Sequence, residues 1–202
     1  LISPTSSPTK DTVVDLFVNF DTTDGFFCSV GGGITRHYGN VLHRKSDTLG
    51  NELPWLYCDQ SVVSQDVAPF FEHVYGDYVS ASHPIYAGSL NNELVSIRCG
   101  GTFVFNGRYT NSGENTGVGA WPCFEFQNAD AVNTIETDII FNGEISNVVG
   151  DVAVFRFMEQ GNANHTSKFI FKTVTVECPR TDGVFSSNTT NVPLYIFHSL
   201  TM

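Results

Sequence analysis

Four Asx-Gly pairs constrain what this chain can fold into. They lie at Asp24-Gly25, Asn106-Gly107, Asn142-Gly143 and Asp182-Gly183, each between runs of apolar residues with strand character. A two-residue type I′ turn needs positive φ at both central positions, and Asn or Asp followed by Gly meets this need with least strain. The pairs therefore predict tight turns between antiparallel strands.

Strand-like segments run along most of the sequence. A first hairpin is predicted within residues 16–30, and further strands at 94–98, 102–105, 108–110, 123–126, 134–141, 144–149, 152–158, 168–177 and 194–197. We find no internal repeat. The pattern predicts an all-β protein, a single-domain antiparallel β-sandwich or β-barrel with long loops and at most one short helix.

One short helix is predicted in the less regular region between residues 39 and 92. Ser64 or Asp66 would cap it, and Gly76 would end it. Its first turn would contain Pro69, and its apolar face would hold Phe70, Phe71 and Val74.

The domain boundaries follow from composition. Residues 1–10 are rich in Ser, Pro and Thr, which predicts a linker, and residues 11–202 form a single β-rich domain. The chain begins at Leu1 without Met, so we expect it to be a segment of a longer polypeptide.

The charge balance excludes two classes of partner. The formal net charge is −11, and the ten Lys and Arg residues are scattered along the chain. Binding to nucleic acid or to an anionic membrane needs clustered cations, so we expect neither partner and no membrane insertion.

The cysteines and histidines predict neither metal nor cofactor. Five cysteines occur without a Cys-x-x-Cys pair, an odd number that favours free thiols over a disulfide framework. The two sequons, at Asn164 and Asn188, favour the secretory pathway instead. The six histidines lack the spacing of zinc ligands.

Catalytic motifs are also missing from the sequence. There is no Gly-x-Ser-x-Gly nucleophile elbow. Glu136 and Asp138 would share one face of a strand, as a glycoside hydrolase could use them, but this spacing is common in strands. We therefore predict no catalytic residue.

Aromatic residues in turn-rich segments are the candidate binding residues. Rings carried on loops often stack on sugars or form the centres of protein interfaces. The candidate receptor or glycan surface consists of Trp55, Tyr57, Tyr75, Tyr78, Tyr86 and Trp121.

In its length, its many predicted strands, its composition and its Ser/Pro/Thr linker, the whole chain resembles the projecting capsid spike of an astrovirus, possibly an avian one. The resemblance implies a non-enzymatic, homodimeric domain on the virion surface, assembled in the host cytoplasm. It would attach to a host receptor, protein or glycan, and carry the epitopes of neutralising antibodies. Covering exposed sheet edges is a further reason to expect a homodimer.

Two other functions are compatible with the sequence. The first is a secreted β-sandwich lectin or adhesin domain, which disulfides and occupied sequons would support. The second is a β-sandwich polysaccharide hydrolase that acts through acids such as Glu136 and Asp138, which turnover of a polysaccharide would support.

Overall fold

A computed structural model describes residues 13–22, 26–27, 33–44, 56–59, 69–81, 95–98, 100–111, 124–128, 137–146, 155–159, 168–176, 185–187 and 194–201. These residues form eighteen strands: β1 Val13–Phe17, β2 Phe20–Thr22, β3 Phe26–Phe27, β4 Gly33–Tyr38, β5 Val41–Arg44, β6 Leu56–Asp59, β7 Pro69–Tyr75, β8 Asp77–Ala81, β9 Val95–Arg98, β10 Gly101–Phe105, β11 Arg108–Asn111, β12 Phe124–Asn128, β13 Thr137–Phe141, β14 Glu144–Ser146, β15 Phe155–Glu159, β16 Lys168–Val176, β17 Phe185–Ser187 and β18 Leu194–Thr201. No helix in this part of the chain is long and apolar enough to cross a membrane.

The strand pairing shows that the chain winds into a coil. Every pair among the described strands is parallel, and through most of the coil each strand lies beside the third strand before it and the third after it. The order β1-β4-β7-β10-β13-β16 forms a first face, β2-β5-β8-β11-β14 a second, and β3-β6-β9-β12-β15-β17 a third. Three strands thus make one turn of a parallel β-solenoid. We number its coils from β1–β3 (coil 1) to β13–β15 (coil 5).

The predicted antiparallel sandwich or barrel is therefore wrong. Several predicted strand positions are confirmed, including those at 102–105 and 108–110, but these two strands pair with other coils rather than with each other. A strand pattern of period two suits either pairing direction, so it does not decide between them.

The hairpin prediction fails at both Asx-Gly pairs that the structure describes. Asn106-Gly107 and Asn142-Gly143 are corners where the chain passes from the first face to the second. Positive φ occurs at Gly33, Gly39, Gly76 and Gly101 among the described glycines, so Gly107 and Gly143 do not form type I′ turns. Asp24-Gly25 and Asp182-Gly183 lie outside the described residues.

Two further predictions are corrected. The segment predicted as a helix is strand β7, in which Pro69, Phe71 and His73 are buried while the residues between them are half-buried. The alternation has period two, and β-pairing to both neighbouring strands outweighs the helix signals at its ends. In the predicted first hairpin, the strand is interrupted by a corner at Val18 and Asn19.

The core is a column of side chains stacked from coil to coil. Inward residues of equal register include Phe105, Phe141 and Phe171 on the first face, Tyr78, Tyr109 and Ile145 on the second, and Val95, Phe124 and Phe155 on the third; none is more than 1% exposed. Neighbouring rings make contacts of the kind that Phe155 makes with Phe171, with centroids 5.2 Å apart. Burial of these ladders explains why the coils stay in register.

Candidate functional site

A shallow polar groove follows the corner between the first and second faces. It has a volume of about 380 Å³ and spans coils 3 to 5. Three glycines form its floor, and its polar side chains are Asp77, Asn106, Arg108, Asn142 and Glu144. Because the same corner recurs in each coil, these groups come from distant parts of the sequence and lie side by side.

A row of alternating charges forms one side of the groove. Asp77, Arg108 and Glu144 hold equivalent positions at the starts of β8, β11 and β14. The Arg108 guanidinium donates from Nε and Nη2 to the two carboxylate oxygens of Asp77, both at 2.9 Å. These bonds, the charge of Asp77 and the more distant charge of Glu144 raise the pKa of Arg108 above its ordinary value. Arg108 is therefore a permanent cation held in a fixed orientation.

The two asparagines form the other side. Asn106 and Asn142 directly follow the inward residues Phe105 and Phe141, which are paired in register. The Asn106 amide donates to Glu72 Oε1 at 3.1 Å, and the backbone N–H of Asn142 donates to the carbonyl of Phe105 at 2.8 Å. Each amide side chain offers both donors and an acceptor.

Glycine is required where the coils approach most closely under the groove. A Cβ on Gly107 would lie 2.5 Å from the carbonyl oxygen of Gly76 and would also overlap the ring of His73. Gly76 itself has a φ of 131°, a conformation that L side chains rarely adopt. The glycines thus let the chain pass directly over the previous corner.

Two buried histidines lie inside the same corner. His37 and His73 are no more than 1% exposed and stack with ring centroids 5.5 Å apart. Since a carbonyl can only accept, Nε2 of His37 donates to the carbonyl of Val18 at 2.8 Å, and Nε2 of His73 donates to that of Gly39 at 3.4 Å. Each Nδ1 is then the acceptor for a tyrosine hydroxyl.

These bonds describe neutral rings. Tyr78 donates to His37 at 3.2 Å, and Tyr109 donates to His73 at 2.8 Å. Burial, followed by the repulsion that a protonated His37 exerts, lowers the pKa of His73 to about 3. Burial also lowers the pKa of His37 and raises that of Tyr109. The histidines support the corner from within and do not reach the groove surface.

The predicted aromatic binding residues lie in different environments. Tyr75 ends β7 beside the groove and is 58% exposed, as a binding role requires. Tyr78 is 1% exposed and hydrogen-bonded in the core, which does not suit a surface role. Tyr57 lies in β6. The remaining candidates, Trp55, Tyr86 and Trp121, lie outside the described residues.

The predicted acid pair does not belong to the groove. Asp138 lies on β13, four residues or about 13 Å along the strand from Asn142. Its Oδ1 is buried without a hydrogen-bond partner among the described residues. Glu136 lies outside those residues. Within the part of the chain that the structure describes, no three His, Cys, Asp or Glu side chains could hold a metal ion.

The charged groups of the groove were not predicted from the sequence. Asp77, Arg108 and Glu144 each come directly after a corner glycine, at Gly76-Asp77, Gly107-Arg108 and Gly143-Glu144. This recurrence of glycine followed by a charged residue is the signal that would have found them.

Comparison of the chain with protein-family models, with curated proteins and with solved structures gives no match.

Proposed function

We propose that this chain is a non-catalytic attachment domain that binds a glycan in the corner groove. The observation that carries the proposal is the row of Asp77, Arg108 and Glu144 beside the two asparagine amides, on one open surface. Saccharide hydroxyls are both donors and acceptors, so they suit a surface that offers carboxylates, a guanidinium and amides together.

The scaffold supports binding more directly than catalysis. Both carboxylate oxygens of Asp77 are already bonded to Arg108, which leaves this acid poorly placed to transfer a proton. The groove rests on paired strands and a packed aromatic core, so its groups are preorganised for a ligand.

The location and assembly of the domain remain predictions. The parallel solenoid replaces the antiparallel fold that the Asx-Gly pairs predicted. The expectations that come from the astrovirus resemblance, namely attachment to a host receptor, a position on the virion surface, a homodimer and recognition by antibodies, do not depend on strand direction.

A glycan array tests the proposal, with purified protein as the probe. We expect the wild type to bind a defined set of glycans without cleaving them. Arg108→Ala should weaken binding about tenfold or more, because it removes a charged hydrogen-bond donor. Arg36→Ala is the matched control, since Arg36 also pairs with carboxylates, those of Asp15 and Glu72, but lies outside the groove.

Two results would overturn the proposal. One is the lack of wild-type binding to any glycan on the array. The other is release of reducing ends from a bound polysaccharide, abolished by Asp77→Asn or Glu144→Gln, which would make the groove an active site.

A further inference from the structure

An exposed row of aromatic rings continues the groove toward the start of the chain. Phe17, Tyr38 and Tyr75 are the last residues of β1, β4 and β7. Phe17 pairs with Tyr38, and the half-buried Tyr38 pairs with Tyr75 after a one-residue shift of register that follows His37. The rings of Phe17 and Tyr38 are stacked, with centroids 4.4 Å apart and planes inclined by 14°. Tyr38 and Tyr75 meet edge to face at 5.8 Å. Phe17 is 74% exposed and Tyr75 58%.

The aromatic row and the groove occupy the same corner of successive coils. Phe17 and Tyr38 directly follow the inward residues Leu16 and His37, just as Asn106 directly follows Phe105. Tyr75 immediately precedes Gly76 and Asp77, where the groove begins. The corner therefore changes from aromatic rings in coils 1 to 3 to hydrogen-bonding groups in coils 3 to 5.

The combined surface is long and narrow. Neighbouring strands of a sheet lie about 4.8 Å apart, so five coils extend over about 19 Å along the coil axis. A single sugar could contact only one part of this surface, whereas an oligosaccharide lying along the axis could contact both.

The charges of the surface select against acidic ligands. The groove contains two carboxylates, Asp77 and Glu144, and one cation, Arg108, whose charge is paired with Asp77 through two of its five N–H donors. With a net charge of −11 on the chain, a polyanion would be repelled. A neutral sugar has apolar C–H faces that stack on aromatic rings and hydroxyls that bond to amides and carboxylates.

We infer that the ligand is a linear, neutral polysaccharide that lies parallel to the coil axis, stacked on Phe17, Tyr38 and Tyr75 and hydrogen-bonded in the groove. This inference rests on the proposed function, and it adds the class of ligand, its direction and a second set of binding residues.

Calorimetric titration with defined oligosaccharides tests the inference. The probes are neutral β-linked hexasaccharides of glucose, mannose and xylose, their disaccharides, and a hexasaccharide of galacturonate. We expect a neutral hexasaccharide to bind at least about tenfold more tightly than its disaccharide, since only the longer ligand contacts both parts. The galacturonate ligand should bind more weakly than the neutral hexasaccharides.

Substitutions of the aromatic row separate stacking from other effects. Tyr75→Ser should weaken hexasaccharide binding about tenfold, whereas Tyr75→Phe, which keeps the ring, should stay close to the wild type. Val13→Ser is the matched control, because Val13 is 52% exposed on β1 but lies at the opposite end of that strand from Phe17. Circular dichroism confirms that each variant is folded.

The outcomes distinguish this inference from the proposed function. If the wild type binds a neutral hexasaccharide, and Arg108→Ala weakens binding but Tyr75→Ser and Phe17→Ser do not, the aromatic row is not a binding surface and the inference fails alone. Preference for the galacturonate ligand would also overturn the inference alone. If no glycan of any kind binds, the proposed function fails and the inference fails with it.

Discussion

At the corner between the first and second faces, the buried and the exposed residues exchange chemical character between the first coils and the later ones. In coils 2 and 3, the inward position holds His37 and His73, and the exposed corner holds aromatic rings. In coils 4 and 5, the inward position holds Phe105 and Phe141, and the exposed corner is polar.

This reversal shows that register and bonding partners, rather than residue class, decide what can be buried. The imidazoles are tolerated inside because each has a tyrosine hydroxyl and a backbone carbonyl as partners. The phenylalanines have no polar side-chain atoms, so apolar neighbours are enough to bury them. Exposed aromatic rings gain no comparable burial, which is why we assign them a ligand.

The largest expected difference between the two regions is their response to acid. His73 has a pKa of about 3 in the fold and an ordinary value near 6.5 when unfolded. Between these values only the unfolded chain binds the proton, so stability is fully present above about pH 6.5 and falls as the pH approaches 3. The loss from His73 reaches up to about 5 kcal/mol, which urea unfolding at several pH values would measure.

The variant His73→Phe makes coil 3 resemble coils 4 and 5. As the pH falls from 6 to 4, its free energy of unfolding should decrease less than that of the wild type. The difference between the two slopes should be about 1.4 kcal/mol per pH unit. Carboxylates titrate in both proteins, so the difference in slope isolates the histidine. Parallel pH profiles of the two proteins would show that His73 is not buried in its neutral form.

A cavity in the later coils should have the next largest effect. Phe141 is fully buried and contacts the rings of Phe105, Phe124 and Phe155. Phe141→Ala should lower the free energy of unfolding by about 3–5 kcal/mol. The control is Phe17→Ala, which removes a ring that is mostly exposed and should cost no more than about 1.5 kcal/mol, the contribution of its stacking on Tyr38. Equal costs for the two substitutions would contradict the assignment of inside and outside.

The smallest difference concerns the hydrogen bonds that join the corners of neighbouring coils. In the first coils, side chains add to the backbone bonds of the corner: Asn40 N–H donates to Asn19 Oδ1 at 2.8 Å, and Asp77 N–H to Asn40 Oδ1 at 2.9 Å. Asn40→Ala should cost about 1 kcal/mol in thermal or urea unfolding. Asn142→Ala should cost less than about 0.5 kcal/mol, because its corner bond comes from the backbone. A larger loss of stability in Asn142→Ala than in Asn40→Ala would contradict the assignment of the side-chain bonds to the first coils.

Strand positions were largely predictable from the sequence, but strand direction was not. The alternation of buried and outward residues in β10 and β13 is visible in the residue pattern. Direction depends on whether successive segments return alongside each other or continue around a coil, and that is decided by the corner. A corner and a hairpin both use Asn-Gly, the first for close approach and the second for positive φ.

A repeat in the sequence distinguishes a coil corner from a hairpin. Phe-Val-Phe-Asn-Gly-Arg-Tyr at 103–109 and Ile-Ile-Phe-Asn-Gly-Glu-Ile at 139–145 share one pattern, and His-Val-Tyr-Gly-Asp-Tyr at 73–78 is a looser copy. Recurrence of one supersecondary unit is the sequence signature of a solenoid. The repeat is hard to see because the segments between its copies differ in sequence.

The candidate site was predicted only in part. Tyr75 was identified because it is aromatic and lies near turn residues. The row of Asp77, Arg108 and Glu144 follows recurring glycines, but only the coiled arrangement of the strands shows that residues from three coils lie side by side. Tyr78 was assigned to the surface for the same reason as Tyr75, but it is buried in the core, where its hydroxyl bonds to His37.

Strand β16 has a consequence for the size of any ligand. It pairs with β13 through its first part and with β14 through its last part, so one continuous strand replaces the corner that earlier coils have. Residue Lys172, exposed in the middle of this strand, stands where the previous coils bend. The row of corners therefore stops after coil 5. If the proposed polysaccharide binds along this row, the number of corners, which is fixed by the sequence, limits how many of its sugar units can be in contact at once.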